Sequence, residues 1–132
     1  MAEPKNAGRP LSPHLQIYRP MLTMTLSIVH RATGIVLYAG VLLLVWWLVA
    51  AATSDESFNR AQDFFGHWLG QIVLFGLTWA LIHHTIGGIR HLIWDMGLGF
   101  DARVVERGAR FTIASSIILA IVIWVIGYGV ML

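Results

Sequence analysis

Three stretches of this chain hold no Asp, Glu, Lys or Arg: 23 residues between Arg31 and Asp55, 26 between Asp63 and Arg90, and 22 after Arg110. About 20 apolar residues cross the hydrocarbon of a bilayer. Lipid offers backbone amides no hydrogen-bond partner, so a segment inside it must bond to itself, as a helix does. The sequence therefore predicts an all-α membrane protein with three transmembrane helices, at about 27–53, 64–95 and 110–131. Composition agrees. Apolar residues make up 57% of the chain and charged residues 12%, about half the share a soluble domain carries.

The 132 residues suffice for one membrane domain, residues 27–132, preceded by an arm over 1–26. Prolines at 4, 10, 13 and 20 interrupt that arm and predict an extended segment on a partner or on the membrane surface. The arm has neither the short charged start of a secretory signal nor the Arg- and Ser-rich makeup of a transit peptide. The charge of residues 1–31 is mainly positive (Lys5, Arg9, Arg19 and Arg31 against Glu3), as is that of the second loop, with Arg103, Arg107 and Arg110. The first loop, 54–63, is net acidic. The positive-inside rule then puts the N-terminus inside and the C-terminus outside. A net charge of +2 reflects this topology and no nucleic-acid partner. Without cysteine, the chain cannot itself hold a thiolate-ligated iron–sulfur cluster or a disulfide.

Ionisable side chains gather at the inside ends of the first two helices. On the second, His84, Gly88, His91 and Asp95 fall at i, i+4, i+7 and i+11 and form one stripe. His84 lies ~9 Å deeper than Arg90 at the helical rise. A buried histidine bonded to a neighbouring helix would account for it. The sharper reading is an axial haem ligand, with Gly88 clearing space for a flat macrocycle and basic groups near the propionates. His83 competes for the role, since Gly87 stands at its own i+4; alignment with His91 and Asp95 favours His84. A six-coordinate haem would need its second axial ligand from another chain. His67, near the outside end, reads as interfacial or structural. On the first helix Ser27, His30 or Arg31, and Gly34 share a face. An Arg–His pair snorkelling to the headgroups is the plain reading. A hydroxyl and a guanidinium at the membrane edge also suit a quinone carbonyl, with Asp95 as a proton-relay candidate.

The segments Arg9–Tyr18, Ser27–Gly34 (SIVHRATG) and His84–Asp95 (HTIGGIRHLIWD) together resemble the cytochrome b subunits of succinate dehydrogenase, the larger membrane anchors of respiratory Complex II. The resemblance runs over essentially the whole chain, with the motifs in family order. It implies that His84 ligates the iron of a haem b shared with the smaller anchor subunit. It also implies a ubiquinone site using Ser27 and Arg31, a proton-access role for Asp95, and His30, Arg31 and His91 as propionate neighbours. FAD and iron–sulfur clusters would lie on the flavoprotein and iron–sulfur partners, and electrons from succinate would pass to the quinone pool, joining the tricarboxylic acid cycle to electron transport. No catalytic residue for succinate oxidation is expected on this chain. The arm looks closer to alphaproteobacterial and mitochondrial forms than to enterobacterial ones, and a bacterial inner membrane is expected before a mitochondrial one. Two other classes fit the composition: a structural anchor whose histidines only pack, and a small proton-conducting protein. The second needs ionisable groups in the outside half, where His67 stands alone.

Overall fold

The computed structural model describes residues 17–131 and is all-helical over them: α1 Leu22–Thr53, α2 Asp55–Gly66, α3 Trp68–Asp95 and α4 Ala102–Met131. Three of these, α1, α3 and α4, are long and apolar enough to cross a membrane. The first 16 residues of the arm, with most of the Arg9–Tyr18 motif, lie outside the described residues.

Helix ends and bilayer ends do not coincide, and the predicted bounds shift accordingly. Pro20 is the last breaker before α1, and with no further interruption the helix starts at Leu22 instead of near 27. The arm's residues 22–26 are therefore helical, not extended. At 32 residues, α1 is ~48 Å long, well beyond the ~30 Å hydrocarbon layer. Likewise α4 starts at Ala102 rather than near 110, because Asp101 caps it: its Oδ1 accepts from Arg103 N at 2.9 Å and Val104 N at 3.4 Å. Arg103, Arg107 and Arg110 thus ride on a helix in place of a loop. Charge ends the membrane run; it does not end the helix.

The acidic segment read as a loop is mostly α2. Ser54 leaves α1 in extended conformation and caps the next helix, its Oγ accepting from Ser57 N at 3.2 Å, with Asp55 and Glu56 in the positive first turn. Trp46 and Trp47 of α1 meet Phe64, Phe65 and Phe58 of α2, and Trp47 Nε1 donates to Gln62 Oε1 at 3.0 Å. His67 then begins α3, Nδ1 accepting from Leu69 N at 3.4 Å, so α3 starts at Trp68 rather than near 64. The far end of α3 closes through Gly97 at φ +78, where Leu98 N bonds Ile93 O and Gly97 N bonds Trp94 O. That paired closure needs a left-handed residue, which glycine adopts without strain.

The helix α3 packs against both α1 and α4. Its seam with α4 is bonded by Tyr128 to Gln71 at 2.7 Å, Trp124 to Thr78 at 3.1 Å and Ser116 to His83 at 3.2 Å, partners whose numbers fall as α3 rises, so the helices are antiparallel. The buried positions are mostly small, Ala50, Ala80, Ala109 and Ala120, while Val36, Leu42, Ile89 and Val125 point outward. This is the reverse of a soluble core. Lipid solvates large apolar side chains as well as protein does, so close approach and hydrogen bonds hold the helices together.

Of the described glycines, Gly70 leaves the least room for a side chain: a Cβ there would stand 2.0 Å from the Phe64 carbonyl oxygen, and backbone cannot yield cheaply. Gly70→Ala should lower stability by roughly 1–3 kcal/mol, read as an earlier thermal transition of the solubilised protein. Gly129→Ala, whose Cβ would meet nothing within 4 Å, should leave the transition in place.

Candidate haem and quinone site

At the arginine-bearing end of the bundle, antiparallel α1 and α3 bring their histidines together. The His30 and His84 rings are parallel, with centroids 4.0 Å apart and planes 5° apart, and His91 stands 5.1 Å from His30. Missing side chains make this possible. A Cβ on Gly87 would lie 2.6 Å from His30 Nδ1, and one on Gly34 would lie 3.1 Å from His84 Cε1.

His84 Nδ1 is 3.0 Å from the His30 carbonyl oxygen and 3.1 Å from Thr33 Oγ1. The carbonyl can only accept. Thr33 donates its own hydroxyl proton to that same carbonyl at 2.8 Å, so its oxygen also meets the imidazole as an acceptor. Both neighbours require the proton on Nδ1, which leaves the lone pair on Nε2. Nε2 makes no hydrogen bond among the described residues and is not a buried atom. Fixing one ring nitrogen through an N–H to a carbonyl is how proteins orient histidine toward a metal. One turn on, a Cβ at Gly88 would meet nothing within 4 Å, so the flank beside His84 is open.

These features fit haem. An imidazole is held through Nδ1, its other nitrogen makes no hydrogen bond among the described residues, a glycine clears the flank, and the His30 ring is stacked beside it. Among the described residues there is no group of three or more His, Cys, Asp or Glu able to hold a bare metal ion. What the site presents is one oriented imidazole.

His83 faces elsewhere. It is 2% exposed, its Nδ1 lies 3.2 Å from Ser116 Oγ on α4, and its ring packs 5.2 Å from that of Trp79. Ser116 gives its own proton to the Ile113 carbonyl at 3.0 Å, so it receives one from His83. The adjacent histidines thus divide: His83 joins α3 to α4, and His84 faces α1.

Ser27 and Arg31 are in contact, with Arg31 Nη2 donating to Ser27 Oγ at 3.3 Å. Ser27 also lines a cavity of about 110 Å³ with His30, Gly87, Arg90 and His91. Asp95 stands apart. It is exposed, makes no ion pair among the described residues and does not line the cavity. His67 is the α3 cap. Sequence reasoning missed Thr33, Ser116 and Arg90, the last with its guanidinium carbon 4.6 Å from the Trp94 ring centre. Spacing offered signals for two of them: Thr33 is three residues after His30, and Arg90 is four before Trp94. Nothing in the sequence pointed to Ser116, because its partner is a helix away.

The family model of the succinate dehydrogenase/fumarate reductase transmembrane subunit matches residues 5–123. The succinate dehydrogenase cytochrome b556 subunit of Paracoccus denitrificans is 45% identical over 121 residues, covering 92% of this chain and 93% of the relative. The subunit of the same name in Rickettsia typhi is 39% identical over 117 residues, 89% of this chain and 91% of the relative. The mitochondrial cytochrome b560 subunit of Sus scrofa is 44% identical over 99 residues, 72% of this chain and 59% of the relative. With matches that span nearly all of the three apolar helices and the histidine cluster between them, the chain belongs to the succinate dehydrogenase/fumarate reductase transmembrane subunit family.

Proposed function

We propose that this chain is the cytochrome b anchor of a succinate:ubiquinone oxidoreductase in a bacterial inner membrane. It binds the iron–sulfur and flavoprotein subunits at its inside face and pairs with a smaller anchor subunit in the bilayer. The observation that carries the reading is the contact of His84 Nδ1 with two acceptors, the His30 carbonyl and Thr33 Oγ1, which leaves Nε2 without a hydrogen-bond partner among the described residues. His84 would hold the iron of haem b, and His30, Arg31 and His91 would neighbour its propionates. The second axial histidine would come from the smaller anchor. Haem b supplies a one-electron carrier at this end of the bundle.

Ser27 and Arg31 form the quinone-facing pair. Because Arg31 donates to Ser27 Oγ, the serine's own proton is available to a quinone carbonyl. The guanidinium then steadies the negative charge that develops on that oxygen during reduction. Asp95, exposed at the same end, would connect the site to inside solvent. Succinate oxidation belongs to the partner chains, which hold FAD and the clusters. Arg19, Arg31, Arg90, Arg103, Arg107 and Arg110 sit at one end and Asp55, Glu56 and Asp63 at the other. The arginine end is therefore inside and the C-terminus outside.

Three outcomes test this. In the purified complex, His84→Leu should abolish or shift the b-type bands of the reduced-minus-oxidised spectrum, while His83→Leu keeps them. Loss on His83→Leu alone would transfer the ligand to the neighbouring residue. Ser27→Ala and Arg31→Leu should each lower succinate-to-quinone turnover by about tenfold or more, the worth of a hydrogen bond to a charged group, with dye-coupled succinate oxidation unchanged. Because the chain has no cysteine, Ser57→Cys should react with an impermeant thiol reagent from outside and Arg107→Cys only after the membrane is opened. The opposite pattern would invert the topology.

A further inference from the structure

The cavity behind Ser27 is small, polar and unsatisfied. At about 110 Å³ it has room for roughly three or four waters at ~30 Å³ each, too little for a substituted quinone ring. Two of its lining residues carry buried polar atoms without a partner, His30 Nδ1 and Arg90 Nε. The Arg90 guanidinium pairs with no carboxylate among the described residues; it rests on the Trp94 ring at 4.6 Å, and its side chain would lie 3.5 Å from a Cβ on Gly108 of α4. Ring contact leaves the in-plane N–H bonds of a guanidinium unmet. Leaving buried donors unpaired is costly, and a polar void of this size beside them is where structures keep ordered water.

From these observations we infer that the cavity holds a cluster of ordered waters, positioned by Arg90, which links the Ser27 hydroxyl to solvent at the exposed His91. The inference rests on the reading of Ser27 as the quinone-facing residue. Reduction of ubiquinone to ubiquinol takes up two electrons and two protons. The electrons come from succinate through the partner chains, and the protons come from inside solvent. Each proton delivered to a quinone oxygen by Ser27 is replaced on the serine by one from the adjacent water, and so on back to solvent. Water carries the proton, and no lining side chain has to change charge. Thr23, Ser27 and His30 face the cavity from α1, His83, Arg90 and His91 from α3, and Thr112 from α4. Arg90 is the only permanent cation among them. It acts as a positioning residue: its N–H donors orient water oxygens and keep the file in place.

A high-resolution structure of the assembled wild-type complex gives the direct reading. At least two waters should lie within hydrogen-bond distance of Arg90 and of Ser27 or His30; a dry cavity, or one filled by a partner side chain, overturns the inference. The second reading is the solvent deuterium isotope effect on succinate-to-quinone turnover. Arg90→Met should raise that effect and slow turnover by about tenfold, with dye-coupled succinate oxidation unchanged and Arg90→Lys recovering most of the rate. An unchanged isotope effect in assembled Arg90→Met complex overturns the relay. If that variant does not assemble, the wild-type map decides alone. Failure of the functional reading looks different, since a wild-type complex without quinone turnover rejects that reading while the waters stay visible in the map.

Discussion

A polar side chain placed in hydrocarbon finds no solvent partner, and the bundle is arranged around meeting that need from within. Inside the spans, hydroxyls turn back to their own helix, as Thr78 does to Leu74 O at 2.8 Å and Thr112 to Gly108 O at 2.9 Å. Imidazoles, indole and phenol reach across helices: His84 to α1, His83, Thr78 and Gln71 to α4. Each such bond between membrane helices contributes only ~0.6 kcal/mol on average. Their greater effect is on register. A slide of one residue along either seam would separate all the pairs on it and leave several buried groups unmatched.

The same need explains why the adjacent histidines part company. Consecutive helical residues point ~100° apart, so one faces α4 and the other faces α1. Ser116 receives the proton of His83 and thereby ties that ring into the seam. The His30 carbonyl and Thr33 receive the proton of His84 and leave its other nitrogen free. One imidazole is held by its bond for packing. The other is oriented by its bond with its second nitrogen left free. Gly87 and Gly34 contribute by absence, since a methyl at either position would push the stacked rings of His30 and His84 apart.

Legibility differed between elements. The three apolar helices and the antiparallel meeting of Ser27–Arg31 with Arg90–Asp95 could be read from charge-free runs and short connections. The helix limits could not. Hydropathy reports where lipid begins, while backbone hydrogen bonding continues into the headgroup region until a cap or proline stops it, as Pro20 and Asp101 show. The acidic helix α2 was hidden because its charges resemble a loop, although Ser54 followed by two acidic residues is a helix-start signal in its own right.

What the sequence determined by itself was the class of structure and the set of chemical groups at one end of it: three membrane-length segments, a histidine stripe, a serine–arginine pair, and no thiol to bind a cluster. These follow from composition and periodicity, which are properties of the chain alone. Only the tertiary structure decided which nitrogen of His84 carries the proton, that His83 belongs to α4, and that Arg90 borders a polar cavity with an unpaired donor. Each of those depends on what a neighbouring helix places opposite a side chain, and opposition between helices is a matter of rotation and register that no single helix encodes.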